Sequence, residues 1–258
     1  MEPILYEKQN HIAYITLNRP EVLNCFNYET LKMLGNIVES IHTDKDVRTV
    51  IITGDGDKAF SAGADLKERR TLNEHEVRRN VKKIGDVFEQ IADLPQPTIA
   101  AINGYAFGGG FELALACDFR IAVKDAKLGL TETSMAIIPG AGGTQRLPRL
   151  IGEARALELI LTAKRLSADE AYHYGILNQV VESGQLLAAC EELAASIMKN
   201  GPIAVQQAKF AVKKGMNVDL KTGLNIESKA YEVTIPTKDR VEALNAFNEK
   251  RPPRFLGE

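Results

Sequence analysis

Three consecutive glycines, Gly108-Gly109-Gly110, stand before Phe111-Glu112 in the segment NGYAFGGGFELALACD, Asn103 to Asp118. Glycine carries no Cβ, so a ligand can come close to this backbone. The apolar run from Phe111 to Cys117 reads as a buried helix. A helix start offers unpaired N–H groups and the positive end of a dipole. Negative charge developing on an oxygen would be stabilised there. Glu112 follows Gly109 by three residues, within the first turn, so its carboxylate lies near whatever Gly109 holds. A tight helix–sheet contact, with Glu112 complementing the dipole, accounts for the segment equally well. The glycine spacing is not the GxGxxG of dinucleotide sites.

A second carboxylate, Glu132, ends Leu128-Gly-Leu-Thr-Glu132, just before the loop IIPGAGGTQR. Among apolar residues and glycines a carboxyl group is pushed toward its protonated form and can donate a proton. Taken singly, Glu132 reads more simply as a surface or capping residue. A third segment, AFSAGADLKE, supplies small residues whose N–H groups can face a ligand. Its plain alternative is an ordinary strand–helix turn.

Other chemistry finds little footing. Ser61 and Ser134 lack a GxSxG context. His11, His42, His75 and His173 sit in strand or polar-helix settings. Lys82-Lys83 and Lys213-Lys214 read as solvated helix faces. Cys25, Cys117 and Cys190 are far apart, with no CxxC or Cys/His cluster to suggest a metal. Reduced thiols are expected.

These residues need elements to position them. Strands are expected at His11–Leu17, Arg48–Thr53, Thr98–Ile102 and Phe119–Val123. Helices are expected at Tyr28–Ile41, at Asn73–Ile91, after the capping box Ser167-Ala-Asp-Glu170, and from Pro202. Alternating strands and helices predict an α/β core over residues 1–195, followed by a helical segment over residues 196–258. The 258 residues, 45% hydrophobic, suffice for a substantial core. A net charge of −2 gives no general attraction to nucleic acid or an anionic membrane. No apolar run approaches the roughly 20 residues that cross a bilayer. The start, MEPILYEKQNHIAYITLNRP, has no basic stretch followed by an apolar block, so a cytoplasmic protein is expected.

Taken together, ITLNRPEVLN, FSAGADLKE, IAAINGYAFGGGFELALACD, IIPGAGGTQRLPRLIG and AFNEKRPPRF resemble, in order and nearly end to end, the crotonase or enoyl-CoA hydratase/isomerase family. The resemblance implies an α/β crotonase (ClpP-like) spiral of ββα units with a C-terminal α-helical segment. It implies oxyanion donors at the N–H groups of Ala64 and Gly109, and an acid/base pair at Glu112 and Glu132. It places Ala62, Gly63, Asp65 and Leu66 beside the adenine and pantetheine of coenzyme A. Phe247 and Lys250 would reach the CoA of a neighbouring subunit in a homotrimer or dimer of trimers.

The activity implied is addition of water to a trans-2-enoyl-CoA thioester. No metal or redox cofactor is expected, because hydration moves no electrons; CoA enters as part of the substrate. SAGADLKER, GMNVDLKTGL, TIPTKDR and EKRPPRFLGE most resemble the methylglutaconyl-CoA hydratases. Animal members of that group also bind AU-rich RNA through a lysine-rich helix. Here that helix keeps Lys32, while Tyr28 and Asn36 stand at the other lysine positions, so no nucleic-acid partner is expected. The rival readings are an isomerase working through one carboxylate, an RNA-binding protein, and a ClpP-like protease, for which no Ser/His/Asp set is visible.

Overall fold

The chain builds two sheets in step. In the computed structural model, which describes residues 2–258, β1 (Ile4–Gln9) and β2 (Ile12–Leu17) form an antiparallel hairpin. Strands β3 (Thr49–Gly54) and β4 (Ala59–Ser61) follow, then β5 (Thr98–Ile102) and β6 (Tyr105–Phe107), then β7 (Phe119–Val123) and β8 (Lys127–Gly129). In each pair the first strand joins a six-stranded sheet and the second a four-stranded one. The short strands β9 (Leu166–Ser167) and β10 (Gln179–Val181) complete the orders β4-β6-β8-β9 and β1-β2-β3-β5-β7-β10. From β2 to β10 the large sheet is parallel. Its central strand β5 is buried at every residue, as a sheet covered on both faces requires.

Helices leave after each strand pair. Before β3, α1 (Tyr28–Thr43) is capped by Asn27 and buries Leu31, Leu34, Val38 and Ile41 along one face. After β4 come α2 (Leu66–Arg69) and α3 (Glu74–Ala92), the latter opened by an Asn73/Glu76 capping box. After β6 comes α4 (Gly109–Ala116), buried from Gly110 onward. A 3-10 turn, Glu132–Met135, follows β8 and leads to α5 (Gly143–Ile151) and α6 (Glu153–Leu161). This alternation is the expected ββα spiral.

Beyond β9, α7 (Ala168–His173) starts on the expected Ser167/Glu170 capping box, and α8 (Leu186–Met198) packs on the sheet. The expected division at residues 195 and 196 falls inside α8, whose Cys190 and Ala194 lie in the core. The change of character comes one turn later. Helices α9 (Pro202–Gly215), α10 (Leu220–Thr234) and α11 (Lys238–Glu249) are largely exposed and form the terminal segment.

One reading needs correction. Lys213-Lys214 is not a solvated face. Lys209 Nζ and Lys213 Nζ lie 2.6 and 2.7 Å from the buried Asp118 carboxylate, and Lys214 pairs with Asp93 at 2.7 Å. Asp118 also accepts the Thr98 N–H at 2.8 Å, so one carboxylate ties α9 to the end of β5. A helix would not leave two lysines beside a buried carboxylate unpaired, because isolated charge in the interior is costly.

Candidate active site

Two loops meet at the start of α4. Phe26 pairs with Ala64 in a short parallel bridge, with Phe26 N–H donating to Gly63 O at 2.8 Å and Asp65 N–H to Phe26 O at 2.9 Å. That pattern turns the Ala64 N–H away from the bridge. Gly109 is the first residue of α4, so its N–H has no acceptor within the helix. Neither N–H has a partner among the described residues. They lie close together: a Cβ built on Gly109 would stand 3.8 Å from Ala64 N. Gly63 makes this possible. Its φ is +92°, and a Cβ there would stand 2.9 Å from Gly109 N. The result is a pair of unpaired donors at a helix N-terminus.

The loop behind these donors is braced by residues that the spacing of acids and glycines does not single out. Ser61 Oγ donates to Asn24 O at 2.8 Å and accepts the Gly63 N–H at 3.1 Å. Asn24 Nδ2 donates to Ala59 O at 2.8 Å, and Asn24 Oδ1 accepts the Arg19 N–H at 2.9 Å. Both residues lie in motifs that carry the family resemblance, so the signal was present without its mechanism.

Glu112 is 3% exposed. Its Oε1 accepts the N–H groups of Ala141 and Gly143, each at 2.8 Å. Burial raises its pKa, opposed by those two bonds and by Arg146. The dipole-complementing role is therefore not the main use of this carboxylate. The loop IIPGAGG, read as the setting of Glu132, in fact holds Glu112. Glu132 sits across from it: a Cβ on Gly108 would stand 3.3 Å from Glu132 Oε1. Glu132 Oε2 is buried and has no hydrogen-bond partner among the described residues. Burial, and then the charge of Glu112, push the Glu132 pKa up to about 7. Two neighbouring carboxyls thus differ in kind, one anchored by donors and one free and easily protonated.

The remaining expected site residues divide into two groups. Ala62 and Gly63 stand in the Ala64 loop, and Leu66, 49% exposed, follows it at the surface. Asp65 is committed to structure: it caps α2 through Lys67 N and Glu68 N and pairs with Arg19 at 2.9 Å. Phe247 and Lys250 are on α11 and its cap, outside the packing that builds the Ala64–Glu132 cluster. Phe247 is 82% exposed, an unusual state for a phenylalanine on a helix.

Known proteins match the chain over nearly its whole length. The chain is similar to a crystal structure of enoyl-CoA hydratase from Bacillus anthracis, with a TM-score of 0.97 and 54% identity, covering 99% of this chain and 100% of that one. It is 56% identical over 250 residues to the YngF protein of Bacillus subtilis, covering 97% of this chain and 96% of that one. It is 50% identical over 258 residues to the mitochondrial methylglutaconyl-CoA hydratase of Homo sapiens, covering 98% of this chain and 76% of that one. The family profile described as enoyl-CoA hydratase/isomerase matches residues 7–258, and with fold, loops and relatives in accord the chain belongs to that family.

Proposed function

We propose that the protein hydrates a trans-2-enoyl-CoA thioester, with Glu112 and Glu132 acting on one water. The observation that carries this reading is the pair of dissimilar carboxyls beside two unpaired N–H donors. The thioester oxygen accepts from Ala64 N–H and Gly109 N–H, which stabilise enolate-like charge as water adds at C3. One such donor is worth about 3 kcal/mol of barrier. Glu112, whose Oε1 is engaged by two N–H donors that oppose the effect of burial, takes the proton from water. Glu132, its pKa pushed up to about 7, keeps a proton available near neutrality and delivers it to C2. No oxidation state changes, so the step needs no redox group.

An isomerase on the same fold needs one carboxyl to move a proton between carbons. Two carboxyls on separate elements, near enough for the charge of Glu112 to raise the Glu132 pKa, favour hydration. The test is conversion of crotonyl-CoA to its 3-hydroxyacyl product, followed by loss of the conjugated thioester absorbance and by product mass. A product of unchanged mass would assign the protein to isomerisation.

The finer substrate is 3-methylglutaconyl-CoA, supported by the likeness to the human enzyme of that name. Its distal carboxylate needs a cation or open water, and Lys67, Arg69 and Arg70 follow the Ala64 loop. Wild-type kcat/KM should be at least as high for 3-methylglutaconyl-CoA as for crotonyl-CoA, and Arg69→Ala or Arg70→Ala should lower only the former. A strong preference for crotonyl-CoA would leave a short-chain enoyl-CoA hydratase.

The working unit is a homotrimer or dimer of trimers. Met216, Leu220 and Phe247 are 77%, 79% and 82% exposed on the terminal helices, which supports burial against further copies. Phe247 and Lys250 would there meet a neighbour's CoA. Among the described residues no helix is long and apolar enough to cross a membrane. The three free thiols support a reducing, cytoplasmic setting.

A further inference from the structure

Glu112 is aimed by a loop, and that loop is held from behind. Ala141 and Gly143 donate to Glu112 Oε1. The carbonyl of the same Ala141 accepts from Arg146 Nη1 at 2.9 Å. Arg146 Nη2 meets Glu89 Oε2 of α3 at 2.6 Å. The guanidinium therefore bridges the loop to α3, while its own backbone belongs to α5. The Arg146 N–H donates to Gly142 O at 2.8 Å, closing the loop onto the helix from the other side. Gly142 has a φ of +108°, and a Cβ there would fall on Arg146 Nη1. Loop and guanidinium are thus fitted with no room for a side chain between them. The Arg146 side chain is only 20% exposed, so water competes little for its donors.

We infer that Arg146 is a positioning residue for Glu112: it fixes the Ala141 backbone so that two N–H groups converge on one carboxylate oxygen and leave the other to take a proton. It acts through Ala141 and is not placed on the substrate. Its charge acts in the same direction as the geometry. Burial raises the Glu112 pKa, and the Gly143 and Ala141 donors and Arg146 all oppose that rise. The other charged groups near this arrangement are Glu132 on the 3-10 turn and Glu89 on α3.

The test uses Arg146→Met and Arg146→Lys in the full chain. The proton on Glu112 is followed in the free enzyme by its carboxylic C=O infrared band, identified by its loss in Glu112→Gln. This readout needs no substrate, so it stands even if the hydratase reading fails. In Arg146→Met the titration midpoint should rise by about one pH unit, because a cation and two aimed donors are weakened together. Arg146→Lys, which keeps the charge, should restore part of that shift, and it carries the test alone if the methionine variant does not fold. The kinetic arm, which rests on the hydratase reading, predicts a kcat loss of about 10- to 100-fold with little change in KM, and an acid limb moved up with the infrared midpoint. A wild-type midpoint in both variants would overturn the inference. So would a loss of thermal stability with midpoint and kcat unchanged, since that is what a merely structural arginine would give.

Discussion

Glu112 and Glu132 meet at one residue, Gly108. Its carbonyl accepts the Glu112 N–H at 2.9 Å, and a Cβ on it would stand 3.3 Å from Glu132 Oε1. Gly108 thus lies between the backbone that carries Glu112 and the Glu132 carboxyl, while the Glu112 carboxyl is held by Ala141 and Gly143. One has its donors and the other has none, so their proton affinities part in the way an acid/base pair needs.

The first consequence is a stability that depends on pH. The Glu132 pKa rises from an ordinary 4.5 to about 7 in the folded chain. Below pH 4.5 both states keep the proton and the group contributes nothing. Between that pH and 7 the unfolded chain ionises first, so the folded state loses ground; above 7 the penalty is constant. Glu132→Gln should therefore stabilise the protein at pH 8 by about 1–2 kcal/mol, discounted for partial exposure, and by nothing at pH 4. Urea unfolding of both proteins at the two pH values checks this; equal stability at pH 8 would contradict it.

The pH dependence of turnover follows from the same assignment. Hydration needs Glu132 protonated, so kcat/KM should fall as pH rises through about 7. It should also fall in acid as Glu112 takes up a proton, from a midpoint above the ordinary carboxylate value. A rate that climbs steadily from pH 6 to 9 would show that no protonated carboxyl is needed and would contradict the acid/base pair.

Gly63→Ala should cripple the oxyanion donors without touching either carboxyl. The new methyl group would press on Gly109 N, and the φ of +92° is strained for alanine. Loss of one aligned donor costs about 100- to 1000-fold in kcat. Steady-state kinetics, with circular dichroism to confirm folding, would show it; a loss confined to KM would point to CoA binding instead.

Asp118→Ala should loosen the terminal helices. It leaves Lys209 and Lys213 beside the core with no counter-charge, at a cost of about 3–5 kcal/mol. Limited proteolysis should cut first around residues 199–201, ahead of α9. A protease pattern and unfolding midpoint matching wild type would remove Asp118 from this anchoring role.

Much of this was legible from the residues, and the gaps have physical causes. Long amphipathic elements with caps, such as α1 on Asn27 and α3 on Asn73, announce themselves through side chains. The second sheet does not: β4, β6 and β8 are three residues each, too short for alternation to register. The grip on Glu112 comes from backbone N–H groups of Ala141 and Gly143, which side-chain identities do not encode. Lys209 and Lys213 look the same in sequence whether they face water or a buried Asp118. The glycine-rich loops and the two glutamates could be picked out as segments, but pairing Ala64 with Gly109 required the family resemblance.

The most direct measurement is incorporation of solvent oxygen. Crotonyl-CoA is incubated with the protein in ¹⁸O-labelled water and the product weighed, for wild type, Glu112→Gln, Glu132→Gln and the double variant. Wild type should yield a 3-hydroxyacyl-CoA carrying one labelled oxygen. Each single variant should lose about 10³-fold or more in kcat, and the double variant little further, because both groups act on the same water. Near-wild-type labelling by either single variant, or an unlabelled product from wild type, would contradict two-carboxylate hydration.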